Sequence, residues 1–131
     1  MFEDERDNKI YNLIITNGFD KNKEYGQFTE KLYSKTDFLW KESMSGSYSS
    51  AGEEFYQKVD RIILLAGLYN DNEELFKDLL NASEKYKIPI VLVRPLGIEE
   101  VPIELEEKAA TIVGWNANCI IDAIKDAPET M

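Results

Sequence analysis

The chain has 131 residues, of which 44% are hydrophobic, and its formal net charge at pH 7 is -10. This length and apolar content suit one domain with a single core, and the negative charge argues against binding to nucleic acid or to an anionic membrane surface. Histidine is absent and Cys119 is the single cysteine, which excludes a Ser-His-Asp triad, a histidine metal ligand and an internal disulfide.

The amino terminus has no features of a membrane or secretory segment. Residues 1–9 are charged and lack apolar periodicity, so we expect a flexible lead-in before a single α/β domain over residues 10–127. No apolar run approaches the roughly 20 residues that span a bilayer, and the acidic start differs from the basic start of a signal peptide. We therefore expect a cytoplasmic protein.

The first part of the chain predicts two strands with a helix between them. Residues 10–16 form a nearly continuous apolar run that ends at Asn17-Gly18, which is typical of a buried strand followed by a turn. Apolar side chains recur at helical spacing over residues 23–34. Residues 37–41 then predict a short strand at or near a sheet edge.

The middle of the chain predicts a loop, a short helix and a central strand. Residues 43–52 are rich in serine and glycine and have no apolar face, which indicates an exposed loop. A short helix over residues 52–58 leads into 61–67, the most strand-like segment. Asp71-Asn72 offers an N-cap for the next helix, whose sheet-facing side would carry Leu75, Leu79, Ala82 and Tyr86.

The last third predicts two more strands and two helices. Strands are expected over residues 89–93 and 110–113, with a short helix over 102–108 between them. Asn116 or Asn118 is expected to cap a final helix that Pro128 stops.

Five strands alternating with helices predict a doubly wound α/β fold. Because crossovers are right-handed, we expect a three-layer, flavodoxin-like sandwich with a five-stranded parallel sheet in the order 2-1-3-4-5. Ligands of such sheets bind beyond the carboxyl ends of the strands, near the point where the order reverses. The walls of that crevice would be residues 16–22, the serine-rich loop and residues 67–72.

Several familiar ligand sites do not fit this crevice. The first strand is followed by Asn17-Gly18 rather than by GxGxxG, and no GxxxxGK[ST] phosphate loop exists. The acidic pair that a phosphorylatable receiver domain needs after its first strand is also missing. A flavin site remains a third alternative, supported only by Thr16.

The region from about residue 62 onward carries a resemblance to a known family. The residues that carry it are the strand Ile62 to Gly67, the helix ending at Ala82, Lys87 to Ile90, Pro95 to Gly97, Pro102, Val113 to Asn116, and Ile120 to Ile124. They resemble the TIR-like family of small flavodoxin-fold proteins, which includes the TIR-like sensor proteins of the Thoeris anti-phage defence system. The resemblance implies NAD handling in bacterial anti-phage defence, often to make a cyclic ADP-ribose signal, or TIR-type self-assembly, with a homo-oligomer or such an assembly as the expected state.

The same resemblance suggests two candidate catalytic carboxylates. The family has a tryptophan followed four residues later by the catalytic glutamate, which lies about four residues before a small residue. Counting back from Ala82 places Asp78 at the glutamate position and Glu74 at the tryptophan position. Both are departures from the pattern. Glu73, Glu74 and Asp78 also suit partners of the helix dipole and solvated positions on the helix. NAD would be the substrate, with no resident cofactor and no metal.

The remaining candidates are residues that would contact the nucleotide. They are Gly18, Phe19 and Asp20 after the first strand, and Ser45, Ser47 and Tyr48 in the serine-rich loop. The first group is also compatible with an ordinary turn, and the second with a flexible loop or an interface.

Three further residues have both structural and functional interpretations. Arg94 would bind phosphate or pair with Glu99 or Glu100. Trp115 is expected to pack over the end of the sheet, and Cys119 to be buried and inert.

Two functional hypotheses follow from this sequence. The first is an NAD glycohydrolase or cyclase that uses Glu74 or Asp78. The second is a catalytically silent nucleotide-binding or protein-interaction module of the same fold.

Overall fold

The computed structural model describes residues 9–16, 23–69, 73–94 and 101–127. These residues form one five-stranded sheet covered by helices. Apart from Lys9, the predicted lead-in lies outside the described residues.

All five strands of the sheet are parallel. They are β1 (Ile10–Ile15), β2 (Leu39–Glu42), β3 (Arg61–Leu65), β4 (Ile90–Val93) and β5 (Thr111–Val113). Their spatial order is β2-β1-β3-β4-β5, which confirms the predicted order, the edge position of β2 and the central position of β3. Every residue of β3 and β4 is buried, as expected of parallel strands covered on both faces.

The helices form one layer on each face of the sheet. They are α1 (Lys23–Tyr33), α2 (Glu53–Tyr56), α3 (Glu73–Tyr86), α4 (Ile103–Lys108) and α5 (Ala117–Asp126), and a 3-10 turn covers Ala66–Leu68. Helix α1 contacts α5, and α2 contacts α3. The Lys108 Nζ lies 3.2 Å from the Glu84 Oε2, which links α4 to α3. The architecture is thus the predicted three-layer, flavodoxin-like sandwich.

Apolar faces hold the long helices against the sheet. In α3 these faces present Phe76 and Leu79, and in α5 they present Ile120 and Ile124, all of which are fully buried. Each such side chain stabilises the fold by roughly 1.5–3 kcal/mol relative to an exposed position. None of the helices in the described part of the chain combines the length and the apolar character needed to cross a bilayer.

The first turn of α5 settles one prediction and corrects another. The Asn116 Oδ1 accepts a hydrogen bond from the Cys119 backbone N–H at 3.0 Å, so Asn116 is the cap. Cys119 is exposed, and the prediction that it is buried was wrong. The buried residues of this helix begin at Ile120.

A buried threonine joins the carboxyl ends of the two strands where the sheet order reverses. The Thr16 hydroxyl accepts a hydrogen bond from the Leu65 N–H at 2.9 Å, and the Thr16 N–H donates to the Ile63 carbonyl at 3.1 Å. Thr16 is 1% exposed. The hydroxyl therefore extends the pairing of β1 and β3 by one step and has a structural role.

Candidate functional site

Part of the predicted nucleotide site cannot be placed. Gly18, Phe19 and Asp20 lie outside the described residues, and so do residues 70–72 of the expected crevice wall. Their contribution to binding therefore stays a prediction.

The serine-rich segment, residues 43–52, leaves the carboxyl end of β2 and has no regular helix or strand. Its serines bond mainly to one another: the Ser45 hydroxyl donates to the Ser47 carbonyl at 3.1 Å, and the Ser47 hydroxyl donates to the Ser50 hydroxyl at 3.1 Å. Ser45 and Ser47 thus give the segment its shape. They do not line the cavity described next.

Tyr48 anchors this segment to the body of the protein. Its backbone carbonyl accepts a hydrogen bond from the Tyr56 hydroxyl at 2.6 Å, and its ring lies 6.2 Å from the ring of Phe55. Tyr48 is half-buried as a result.

A cavity of about 210 Å³ lies between the serine-rich segment, α2 and α3. It brings together two of the predicted site residues, Tyr48 and Asp78. Asp78 is half-buried, whereas Glu74 is exposed and is not part of the wall. The cavity is lined by Tyr48, Ser49, Ala51, Tyr56, Asp78, Asn81, Ala82, Lys85 and Tyr86.

Aromatic rings make one wall of this cavity continuous. The Tyr56 ring stacks on Tyr86 with 4.6 Å between centroids and 16° between planes. On its other side Tyr56 meets Phe55 edge-on at 5.0 Å. Such pairs add about 0.5–1.5 kcal/mol beyond their buried area, so the wall is well fixed.

The cavity wall carries protonated tyrosine hydroxyls beside a carboxylate. Burial raises the pKa of Tyr56 to about 12, and the negative charge of Asp78 adds to the shift. Burial also raises the pKa of Tyr48. Asp78 and Lys85 place one charge of each sign on the α3 side, so the lining offers acceptors and donors together with aromatic faces.

The cavity does not coincide with the crevice expected at the carboxyl edge of the sheet. It follows α3 from Asp78 to Tyr86, the last residue of that helix. Because α3 starts near the carboxyl end of β3 and runs antiparallel to it, this direction leads away from that edge. Tyr48 and Asp78 both line the cavity, so the serine-rich segment lies beside α3 there.

A second polar group lies at the carboxyl end of β2, and the sequence analysis missed it. The Tyr25 hydroxyl of α1 donates to the Glu42 Oε1 at 2.5 Å. The Glu42 Oε2 is buried and has no hydrogen-bond partner among the described residues. We expected the strand to end at Lys41, whereas Glu42 is its last residue. A carboxylate ending a strand next to the reversal of sheet order is the signal that would have identified it.

Glu42, Tyr25 and Tyr48 influence one another electrostatically. Burial raises the pKa of Glu42, and the hydrogen bond from Tyr25 partly opposes that rise. Burial also raises the pKa of Tyr25, as do the hydrogen bond with Glu42 and its negative charge. The charge of Glu42 also adds to the raised pKa of Tyr48.

Two other singled-out residues have structural partners. The Arg94 Nη2 pairs with the Glu106 Oε2 at 2.6 Å; Glu99 and Glu100 lie outside the described residues, so their pairing with Arg94 stays a prediction. Trp115 packs against Phe28 with 6.3 Å between centroids, which confirms its packing role.

Comparison with known proteins adds no family name to the fold. The sequence matches no protein-family model and no curated protein. In the part of the chain that the structure describes, no three His, Cys, Asp or Glu side chains are grouped to hold a metal ion. What the fold and site define is a flavodoxin-like α/β domain with an aromatic cavity that contains a carboxylate.

Proposed function

We propose that this chain is a TIR-like domain that binds NAD and cleaves its nicotinamide glycosidic bond in bacterial anti-phage defence, with Asp78 as the acidic group. The observation that carries the proposal is that Asp78 and Tyr48, chosen separately as catalytic and nucleotide-contacting residues, line the same cavity. Of the two candidate carboxylates, this placement favours Asp78 over the exposed Glu74.

The size of the cavity suits part of a dinucleotide. Its volume of about 210 Å³ is below the roughly 300–1,000 Å³ of ordinary small-molecule pockets. One ring or one ribose fits inside, and the remainder of NAD extends over the serine-rich segment. The stacked rings of Tyr56 and Tyr86 provide an apolar surface for a planar base.

The chemistry needs only one carboxylate. When the bond between the ribose C1′ and the nicotinamide nitrogen breaks, the electron pair goes to the ring and nicotinamide leaves neutral, so no general acid is required. The ribose becomes positively charged, and a nearby carboxylate stabilises that charge. Water, or a nucleophile within the same molecule, then attacks C1′ to give ADP-ribose or its cyclic form.

The test is mass spectrometry of NAD incubated with concentrated full-length protein. We expect loss of NAD and release of nicotinamide by the wild type and by Glu74→Gln, the matched control one helical turn away. Asp78→Asn, which keeps the shape of the side chain, is expected to abolish the reaction while the far-UV circular dichroism stays unchanged. Intact, unbound NAD with the wild type under every assembly condition contradicts the proposal.

The alternative is a catalytically silent module of the same fold that binds a nucleotide or assembles with partners. Two observations favour it: Asp78 is one methylene shorter than the family's glutamate, and Glu74 lies outside the cavity wall. A difference of about an ångström in reach is enough to lose a reactive geometry. Under this alternative, calorimetry detects NAD binding, or light scattering detects oligomers, while mass spectrometry recovers all the NAD.

A further inference from the structure

We propose that Glu42 is a second ligand-binding carboxylate, which accepts a hydrogen bond from a ribose hydroxyl of the bound nucleotide while Tyr25 holds it in position. This inference rests on the proposed function, because it assigns part of the same ligand to a residue outside the cavity wall.

The first argument is the unequal environment of the two carboxylate oxygens. One oxygen of Glu42 accepts from the Tyr25 hydroxyl at 2.5 Å, and the other is buried with no partner in the described ranges. A buried polar atom without a hydrogen bond costs roughly 1–3 kcal/mol. A ligand hydroxyl that donates to this oxygen removes the penalty.

The second argument is position. Glu42 is the last residue of β2, at the carboxyl edge of the sheet, where ligands of open parallel sheets bind. The edge strand β2 pairs only with β1, and β1 pairs with β3 on its other side, so Glu42 lies one strand away from the reversal of strand order.

The third argument is continuity with the cavity. The negative charge of Glu42 adds to the raised pKa of Tyr48, and Tyr48 also lines the cavity that contains Asp78. In the proposed complex the nucleotide extends from the Asp78 part of the cavity past Tyr48 to Glu42. The two carboxylates then contact different parts of one ligand.

Glu42 lies near the surface of the protein, because the residue as a whole is only half-buried and it ends the edge strand of the sheet.

The test is calorimetric titration of the full chain with NAD and with NAD analogues in which one ribose hydroxyl is replaced by hydrogen. We expect Glu42→Gln to bind NAD about tenfold more weakly, because the substitution removes one charge-assisted hydrogen bond. For the analogue that lacks the contacted hydroxyl, wild type and Glu42→Gln are expected to bind equally. Exposed Glu54→Gln is the matched control and should bind like the wild type.

Tyr25→Phe tests the positioning role. It should weaken NAD binding in the wild-type background and have no further effect when combined with Glu42→Gln, because its hydroxyl acts only through that carboxylate.

The following results overturn the inference. If Glu42→Gln binds NAD as tightly as the wild type, Glu42 does not contact the ligand. If Glu42→Gln loses the same affinity for NAD and for all its analogues, the effect of Glu42 on binding is indirect. If Asp78→Asn abolishes NAD turnover while Glu42→Gln binds NAD as the wild type does, the inference about Glu42 is wrong and the proposed function stands. If the wild type does not bind NAD at all, both are wrong.

Discussion

The hydrogen bond between Thr16 and Leu65 gives a quantitative test of how the carboxyl edge of the sheet is held together. Thr16→Val keeps the branched shape of the side chain and replaces the hydroxyl with a methyl group. The Leu65 N–H, which now donates to that hydroxyl at 2.9 Å inside the core, then loses its acceptor. Leu65 is fully buried, so water does not replace the lost partner.

The expected cost follows from this geometry. An unsatisfied buried donor costs roughly 1–3 kcal/mol, so we expect Thr16→Val to lower the free energy of unfolding by about 2 kcal/mol. For a chain of this size, that corresponds to a fall in Tm of roughly 6–8 °C.

The assay is urea unfolding followed by circular dichroism, with the slope m unchanged because the exposed surface stays the same. Thr29→Val is the control, since the Thr29 hydroxyl donates to the Gly26 carbonyl on an exposed helix face. We expect the control to change stability by less than about 0.5 kcal/mol. If Thr16→Val also lies within that range, the buried hydrogen bond does not stabilise this edge and the reasoning is refuted.

Three further predictions concern single side chains. Tyr56 should be among the last tyrosines to ionise, with a pKa of about 12 by ultraviolet titration. Because folding raises this pKa, the free energy of unfolding should fall as pH rises above the ordinary tyrosine pKa. Ionisation of Tyr56 near pH 10 would contradict the burial argument. Burial raises the pKa of Glu42 above its usual 4.5. The wild type should therefore lose stability relative to Glu42→Gln as pH rises from 4.5 through the raised pKa. A difference in stability that does not vary with pH would contradict the burial of this carboxyl group. Cys119 is exposed, and a thiol reagent should label it in the native protein about as fast as in urea; strong native protection would contradict its placement.

The fold was predictable because burial leaves a strong pattern in this sequence. In β3 and β4 every residue is buried, and apart from Arg61 at the start of β3 both strands appear in the sequence as apolar runs. Because crossovers between parallel strands are right-handed, the alternation of such runs with amphipathic helices favours one arrangement of the sheet. The strand order was therefore predictable from local patterns alone.

The site was less predictable because its contacts join residues that are distant in the chain. Tyr25 and Glu42 are 17 positions apart, and neither residue type suggests the hydrogen bond between them. Asp78 and Tyr48 meet only because the serine-rich segment packs beside α3, and a segment without periodicity gives no sign of its direction. Cys119 was placed wrongly because its neighbours Ile120 and Ile121 are buried, whereas the first turn of α5 is not covered.

The most direct test of the central claim is to locate NAD on the protein by nuclear magnetic resonance. In a titration of the full-length chain with NAD, the account predicts that the largest shifts occur at Tyr48, Asp78 and Tyr86, with little change at Trp115 on the opposite face. No shifts at millimolar NAD, or shifts concentrated around Trp115, would contradict it.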